Sequence, residues 1–513
     1  MNTLDVQRTD LTLGVAGTGL MGRGIAQIAA QAGIAVRLFD ARAGAAEEAR
    51  AALAATFAGL AAKGKLSAAA ADQATGRLQA MDTLSGLAGC HVVVEAIVEN
   101  LDAKRELFRS LEAVVDQDCL LATNTSSLPV TAIAAACRVP ARVAGFHFFS
   151  PVPLMKLVEV IDGLLTAPEV CDALVQLARR CGHQPVRAAD TPGFIVNHAG
   201  RAYGTEALRI LGESIAGVPD VDRILRGSVG FRMGPFELFD AIGLDVSHPV
   251  MESIYDQYYQ EARYRPSPLT RNRLAAGLLG RKSGQGFYRY VDGRADVPAP
   301  AAPPAGPALS IWVSRRDARA HARAVEVLRA AGARLDEGRH PRADSACLVL
   351  PTGQDCSSAA LEQGLDPARS MALDPLFADL PFAGGHVTLM RNPLTRADVR
   401  DAVWAAFGAG ARPVSVINDS PGFVAQRVVA MIVNIGCDIA QQGIATPADI
   451  DHAVTLGLGY PLGPLALGDA LGAATVLKIL DGLYDFYRDP RYRASPWLTR
   501  RARLAVSLST PEN

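Results

Sequence analysis

Three groups of residues have types and spacings that could do chemistry. Gly17-Thr18-Gly19-Leu20-Met21-Gly22 is a GxGxxG placed between a strand-like run (Leu11–Ala16) and a helix-like run that stops at Gly33. Gly17 permits a tight turn, Gly19 lets a phosphate approach the backbone, and Gly22 permits close helix–strand packing. The helix start then offers free N–H groups and a partial positive charge to a pyrophosphate. Asp40 closes the next strand, 18 residues after Gly22, where an acid binds ribose hydroxyls and repels a 2′-phosphate. That favours NAD over NADP, although Arg42 is the kind of residue that accommodates a 2′-phosphate. The second group is His147 and Glu159. An imidazole facing a carboxylate makes an oriented general base whose protonated form the carboxylate stabilises. Glu159 sits inside the apolar run LVEVI and needs a partner if it is buried. The third is Asn124-Thr125-Ser126-Ser127, polar residues directly after a short strand, where open α/β sheets bind ligands. Ser126 reads equally as a helix N-cap before Pro129.

The elements that must position these groups follow an α/β pattern. Ile34–Phe39, His91–Ala96 and Cys119–Ala122 read as strands, and Ala45–Leu60 and Leu101–Val115 as helices. Val143–Phe149 and Leu157–Ile161 read as two strands joined through Pro151-Val152-Pro153, which would set His147 across from Glu159. From Asp190 the pattern becomes helical. DTPGFIVN (190–197) opens a run to Leu211, with Thr191 able to cap and Pro192 suited to a first turn. Val221–Leu225 and Pro235–Ile242 are further helices.

The 513 residues suggest two to four domains. With 49% apolar and 20% charged residues, the composition is that of a globular protein. Lys+Arg is 51 and Asp+Glu 52, so no basic surplus marks a nucleic-acid binder. No apolar run reaches the roughly 18–20 residues of a membrane-spanning helix, and the N-terminal decapeptide shows no secretory signal. Eight cysteines without a CxxC pair read as reduced thiols in a cytoplasm, and no cluster suggests a metal site.

The chain repeats itself. DSPGFVAQ (419–426) echoes DTPGFIVN at an offset of 229, and Ile450-Asp451, Gly463-Pro464 and Asp469 echo Val221-Asp222, Gly234-Pro235 and Asp240 at the same offset. The second copy has Gln426 where the first has Asn197, and reads as non-catalytic. Between the copies lie a Pro/Ala linker and a region with strand-like runs at 310–313, 346–350 and 386–390, a helix at 315–331, and no GxGxxG.

The segments GVAGTGLMGRGIAQIAA (14–30), VVVEAIVENLDAKRELF (92–108), ATNTSSL (122–128), GFHFFSPVPLMKLVEV (145–160), DTPGFIVN (190–197), GPFELFDAIGLD (234–245) and RKSGQGFY (281–288) together resemble the 3-hydroxyacyl-CoA dehydrogenase family. The resemblance implies that NAD is the cofactor and an acyl-CoA the substrate. It implies that His147 is the base, Glu159 its partner, and Ser126 and Asn197 the residues that orient the substrate. It places Glu99, Lys104 and Lys282 at the nicotinamide cofactor together with Ser126 and Ser150, where many members carry Asn in place of Ser150. Gly17, Gly19, Leu20, Met21, Gly22 and Asp40 complete the cofactor set. The Lys63-Gly64-Lys65 turn is either a CoA phosphate site or a solvated surface.

The fold expected is α/β: a Rossmann-type NAD-binding domain (11–188), an all-α substrate and dimerisation domain (189–290), a linker (291–309), a small α/β piece (310–415) and a second helical domain (416–510). The two helical copies resemble the long bacterial form of the family. That form implies oxidation of 3-hydroxyadipyl-CoA in phenylacetate catabolism, or of 3-hydroxybutyryl-CoA, with a paralogue that binds NAD without turnover as the reading of another class. An adipyl chain needs a cation for its far carboxylate, for which Arg201, Arg209 and Arg232 are candidates. A homodimer or larger homo-oligomer, no nucleic acid and no membrane complete the expectations.

Overall fold

The computed structural model describes residues 4–376, 384–409 and 412–512. The chain divides into two compact units, Met1–His198 with Gln442–Leu458, and Ala199–Gln441 with Gly459–Asn513. These units cut across the expected boundaries, because a segment of the second helical copy belongs with the first unit.

The first unit is built on an eight-stranded sheet: β1 (Thr12–Ala16), β2 (Ala35–Phe39), β3 (Leu78–Met81), β4 (Val92–Glu95), β5 (Leu120–Thr123), β6 (Val143–Phe148), β7 (Leu157–Asp162) and β8 (Gln184–Ala189). Their order is β3-β2-β1-β4-β5-β6-β7-β8, parallel throughout except that β6 and β7 run antiparallel. Valines and leucines of β1, β2 and β4 bury both faces of the sheet. Val15, Val36, Val92 and Val94 pack with Ile25, Ala29, Leu174 and Leu177. Val93 and Leu121 pack with Phe108, Leu111 and Ile133. This two-sided burial is why these strands read as continuous apolar runs rather than alternating ones. The helix Leu20–Gln31 lies close to its neighbours because its buried face is small, and a Cβ on Gly24 would fall 2.7 Å from Val152.

The segment after β8 departs from expectation. The helix does not begin at Pro192: a turn runs through Gly193 (φ +79°) and Phe194 (φ +49°), and the helix starts at Val196. Thr191 does not cap it, its hydroxyl being buried with no hydrogen-bond partner. The helix Arg201–Gly212 follows, then Val218–Ile224 and Pro235–Ile242.

The second unit holds those helices, a short hairpin of β9 (Tyr290–Val291) and β10 (Arg294–Ala295) inside the expected linker, and a five-stranded sheet. The sheet consists of β11 (Ile311–Val313), β12 (Ala346–Val349), β13 (Ser370–Leu373), β14 (Val387–Arg391) and β15 (Val414–Ile417) in that order. Two of these strands, β13 and β15, were not visible in the sequence. The pairing senses from β11 to β15 are parallel, parallel, antiparallel, parallel, the same as from β4 to β8. The middle piece therefore repeats the last five strands of the nucleotide-type sheet and lacks the three that carry a GxGxxG.

Within the second unit, helix Arg201–Gly212 packs along Ala425–Gln441 of the second copy. The seam contains Arg427 and Glu206, both fully buried, 2.7 Å apart, with Arg491 3.1 Å from the other Glu206 oxygen. Burial opposes the Glu206 charge, but Arg491, Arg427 and the Tyr492 hydroxyl outweigh it and hold the carboxyl below its usual range. Removing one member of a buried pair leaves the other uncompensated, at a cost of about 3–5 kcal/mol. Arg427→Met is expected to lower stability by roughly 3 kcal/mol, the low end because Arg491 still faces Glu206. A thermal-unfolding midpoint equal to that of the wild type would show that the pair contributes nothing.

Candidate active site

The glycine turn after β1 is shaped by steric limits. Gly17 has φ +100°, and a Cβ there would lie 2.6 Å from the Ala96 carbonyl. A Cβ on Gly22 would lie 1.9 Å from the Gly17 carbonyl. Gly19 differs: its φ is −65° and a Cβ would meet nothing within 4 Å. Internal packing does not demand glycine at that position, whereas close approach of a phosphate does. The helix Leu20–Gln31 has no side-chain cap and no acid in its first turn. Its first N–H groups, including those of Leu20 and Met21, remain available to an anion. These residues fit a dinucleotide.

Asp40 accepts hydrogen bonds from the Thr18 N–H (2.7 Å) and hydroxyl (2.9 Å) through one oxygen and from the Arg42 N–H (3.0 Å) through the other. Partial burial opposes ionisation, but these donors outweigh it and hold the carboxyl below its usual range. The Arg42 guanidinium turns to Glu48, 2.9 Å away, rather than toward a ribose phosphate. Asp40 is thus a fixed negative charge at the end of β2.

The catalytic-type pair forms as the strand–turn–strand reading expects. β6 and β7 are antiparallel in a register that sets His147 directly opposite Glu159. The His147 Nδ1–H donates to Glu159 Oε2 over 2.7 Å. Glu159 is fully buried and His147 is 5% exposed. The other Glu159 oxygen accepts from the backbone N–H groups of Ile195 (3.0 Å) and Val196 (2.9 Å). These two donors come from the left-handed turn at Gly193-Phe194. Phe149 and Phe194 flank the imidazole, with ring centroids at 4.4 and 5.8 Å. With Nδ1 engaged, Nε2 is the nitrogen left to take a proton.

Ser126 is not a helix N-cap: the next helix, Val130–Ala134, begins after Pro129. The Ser126 N–H donates to Glu99 (2.8 Å), as do the Thr125 hydroxyl (2.6 Å) and the Ser127 N–H (3.1 Å). The Asn197 amide donates to the Ser126 carbonyl at 3.3 Å, which brings these two residues together. Burial opposes the Glu99 charge, but Lys104 and the loop donors hold its carboxyl below the usual range.

Lys104 lies deeper than a cofactor contact would. Its side chain is 1% exposed, and its ammonium stands 2.5 Å from Glu95 and 3.3 Å from Glu99. Glu95 also accepts from the Thr123 hydroxyl (2.6 Å) and the Ile97 N–H (2.7 Å). The sequence signal for Glu95 was present, a carboxylate ending the apolar run VVVE. Asn124 was also passed over individually; its Oδ1 accepts from the Phe148 N–H, beside His147. The donors Ile195 and Val196 left no side-chain signal at all.

The remaining expected residues have these surroundings. Ser150, Lys63 and Lys65 are exposed. Lys282, in the second unit, pairs with Asp245 at 2.7 Å. Arg209 is bound by Glu213 and Asp489, so it is not free for a ligand carboxylate, and Arg232 is exposed. Arg201 is partly buried, and desolvation pulls its guanidinium down to about 10, against an opposing pull from Tyr460. In the second copy, Gln426 donates to Asp374 and accepts from the Gly353 N–H. Asp374 donates its backbone N–H to Thr388, where the first sheet has His147 facing Glu159.

A charged hydrogen bond to a ribose hydroxyl is worth about 1.5–3 kcal/mol. Asp40→Asn is expected to weaken NAD binding roughly tenfold and to narrow its preference over NADP. Fluorescence titration with both reduced cofactors checks this; unchanged discrimination would separate Asp40 from cofactor choice.

The profile of the 3-hydroxyacyl-CoA dehydrogenase NAD binding domain matches residues 12–191. That of the C-terminal domain of the same enzymes matches residues 193–290 and again 422–506. The chain is 37% identical over 495 residues to 3-hydroxyadipyl-CoA dehydrogenase of Escherichia coli K12, covering 96% of this chain and 98% of that one. Over 280 residues it is 41% identical to a probable 3-hydroxybutyryl-CoA dehydrogenase of Deinococcus radiodurans, covering 55% of this chain and all of the relative. The crystal structure of 3-hydroxybutyryl-CoA dehydrogenase from Escherichia coli K12 superposes with a TM-score of 0.84 at 35% identity, covering 97% of this chain and 99% of that one. With its GxGxxG turn, its His–Glu pair and both of these domain matches, the chain belongs to the 3-hydroxyacyl-CoA dehydrogenase family of NAD-dependent oxidoreductases.

Proposed function

We propose that His147 and Glu159 carry out the oxidation of a (3S)-3-hydroxyacyl-CoA to the 3-oxoacyl-CoA, and that the acyl group is adipyl. The observation that carries the assignment of roles is the 2.7 Å bond from His147 to a buried carboxylate already held by two N–H groups. Nε2 of His147 takes the proton of the substrate hydroxyl as the C3–O bond becomes a carbonyl. Glu159 keeps the imidazole in the tautomer with Nδ1 protonated, and its charge balances the imidazolium that forms. Ser126 and Asn197 hold the substrate oxygen, first as hydroxyl and then as ketone. When bound, the nicotinamide of NAD accepts the hydride that leaves C3.

The chain's own groups hold that cofactor. The free amides after Gly17 and Gly19, from Leu20, Met21 and Gly22, receive the pyrophosphate, and Asp40 receives the ribose hydroxyls. Glu99, Ser126, Ser150 and Lys282 serve the nicotinamide side. Lys104 serves it through Glu99 and Glu95, since its ammonium is buried between them. The exposed turn of Lys63 and Lys65 meets the CoA phosphates. Residues 11–188 act as the NAD-binding domain and 189–290 as the substrate domain. Residues 416–510 form a second helical domain that does no catalysis, a reading supported by Gln426 spending its amide on Asp374. The protein works in the cytoplasm and assembles as a homodimer or larger homo-oligomer. The free state of all eight cysteines agrees with that compartment.

The adipyl assignment is supported by the near full-length match to an enzyme named for that substrate. The D. radiodurans relative and the E. coli crystal structure, both named for 3-hydroxybutyryl-CoA, supply the second reading. Among the three candidate cations, Arg209 is taken by acids and Arg232 is solvated. Arg201 and Arg232 therefore stay as the candidate cations for the distal carboxylate.

General-base assistance is worth about 10²–10⁴ in rate. His147→Ala should lower kcat for acetoacetyl-CoA reduction by that factor with NADH affinity retained, and Glu159→Gln by somewhat less. Wild-type turnover in His147→Ala would refute the base assignment. At equal concentrations, kcat/KM should favour 3-hydroxyadipyl-CoA over 3-hydroxybutyryl-CoA. Replacing the arginine that meets the far carboxylate, tested as Arg201→Met and Arg232→Met, should remove that preference, a loss of roughly tenfold or more for a charge-assisted contact, while leaving the butyryl value in place. A preference for 3-hydroxybutyryl-CoA, or equal kcat/KM for both substrates, in the wild type would make the protein a short-chain or general enzyme.

A further inference from the structure

The helix Pro447–Leu458 belongs to the second helical copy by sequence, yet packs in the first unit against β7 and β8. The turn before it is joined to the sheet by a backbone hydrogen bond, Ala189 N–H to the Ile444 carbonyl, at 2.8 Å. Gly457, in the last turn of the helix, sits where any side chain would press on its neighbours. A Cβ there would fall 2.9 Å from Leu157 Cδ2 and 3.0 and 3.1 Å from the two γ carbons of Val196. Both neighbours aim Glu159. Leu157 lies two residues before Glu159 on β7, hence on the same face of the strand. Val196 gives its N–H to Glu159 Oε1. The glycine thus abuts the strand that carries the carboxylate and the turn that anchors it.

The contact has a counterpart. In the second unit the Asn418 N–H donates to the Ile215 carbonyl at 2.9 Å, which is the Ala189–Ile444 bond with donor and acceptor each displaced by the repeat offset and the halves exchanged. There Gly227 abuts His386, just before β14, with a Cβ position 2.7 Å from the His386 Cβ. Reciprocal contacts of this kind are the mark of an isologous interface, written here inside one chain. On that second sheet Thr388 stands at the position equivalent to Glu159, so this strand has no carboxylate there to aim.

We infer that Gly457 and the segment Gln442–Leu458 form a positioning element for Glu159, supplied by the half of the chain that has no catalytic pair of its own. This rests on the assignment of His147 and Glu159 as the reacting pair. Gly457 is a positioning residue; it reaches the chemistry only through Leu157 and Val196.

The test uses the full-length chain and acetoacetyl-CoA reduction by NADH. Gly457→Val is expected to lower kcat at least tenfold, with the acetoacetyl-CoA KM and the NADH dissociation constant within twofold of wild type. Gly227→Val, a lesion against the equivalent place on the other sheet from the residue next to Ser228, the offset equivalent of Gly457, is expected to keep kcat within twofold. Adding Leu157→Ala to Gly457→Val should restore most of the lost kcat by making room for the valine. A folded Gly457→Val protein with kcat within twofold of wild type overturns the inference. So does an equal loss of kcat in Gly227→Val, which would signify general loosening. If Gly457→Val does not fold, Gly457→Ala is judged by the same criteria, since its single methyl already meets Leu157. Glu159→Gln is measured in parallel. Wild-type kcat in that variant would refute the catalytic pair itself, a failure distinct from that of the positioning element.

Discussion

A carboxylate buried to 0% exposure in the interior of a sheet is costly unless every lone pair it keeps charged is answered. Glu159 is answered three times, by the His147 ring and by the N–H groups of Ile195 and Val196. Much of the first unit is arranged around that requirement. The reversal of direction between β6 and β7 places an imidazole on the next strand at the same level. The left-handed pair Gly193-Phe194 costs backbone strain of order 1–2 kcal/mol at the non-glycine residue, but it turns two consecutive N–H groups onto one oxygen. Asp190, at the head of that turn, is itself tied to the N–H groups of Val130 and Thr131. The turn that grips Glu159 is therefore joined to the helix following the Ser126 loop.

A second buried acid follows the same logic. Glu95 ends β4 fully buried and is matched by Lys104, Thr123 and the Ile97 N–H. Lys104 also approaches Glu99, which gathers the donors of Thr125, Ser126 and Ser127. Charges of alternating sign run outward along Glu95, Lys104 and Glu99, so the loop bearing Ser126 is held by an ionic array as well as by the packing of Leu128. Ser126 in turn lends its carbonyl to Asn197. The residues proposed to orient the substrate are thus positioned by strands of the same sheet that places His147.

The duplicated architecture holds two halves that share a framework and differ in the side chains it carries. The sheet β11–β15 keeps the pairing pattern of β4–β8, and among the described residues no strands beyond these five and no GxGxxG turn accompany it. Where the first sheet sets His147 against Glu159, the second has Asp374 and Thr388, and Gln426 bonds to Asp374. The capping is common to both copies: Asp419 accepts from the N–H groups of Cys356 and Ser357, as Asp190 does from Val130 and Thr131. The helical copies have also lost their equivalence at the Arg427–Glu206 seam, where a cation of one faces an anion of the other. Such a contact suits two halves of one chain, whose sequences can diverge separately.

The sequence by itself determined the features that depend on local order. The strand, glycine turn, helix and acid from Leu11 to Asp40 are consecutive, so their spacing alone specified a dinucleotide cradle. His147 and Glu159 were legible because one turn separates their strands, and because an acid in an apolar strand demands a partner. The repeat offset showed the second helical copy. Only the tertiary structure decided what lies across long separations. It showed that Lys104 is buried against Glu95 and that Ser126 is not a cap. It showed that the DTPG segment is a turn whose amides hold Glu159, since backbone donors carry no side-chain signature. The strands β13 and β15 escaped because runs of four residues, buried by partners far along the chain, lack a readable period. Gly457 is the extreme case. Nothing near it in sequence distinguishes it from any helical glycine, and its constraint comes from Leu157 and Val196, which the fold brings to it from more than 250 residues away.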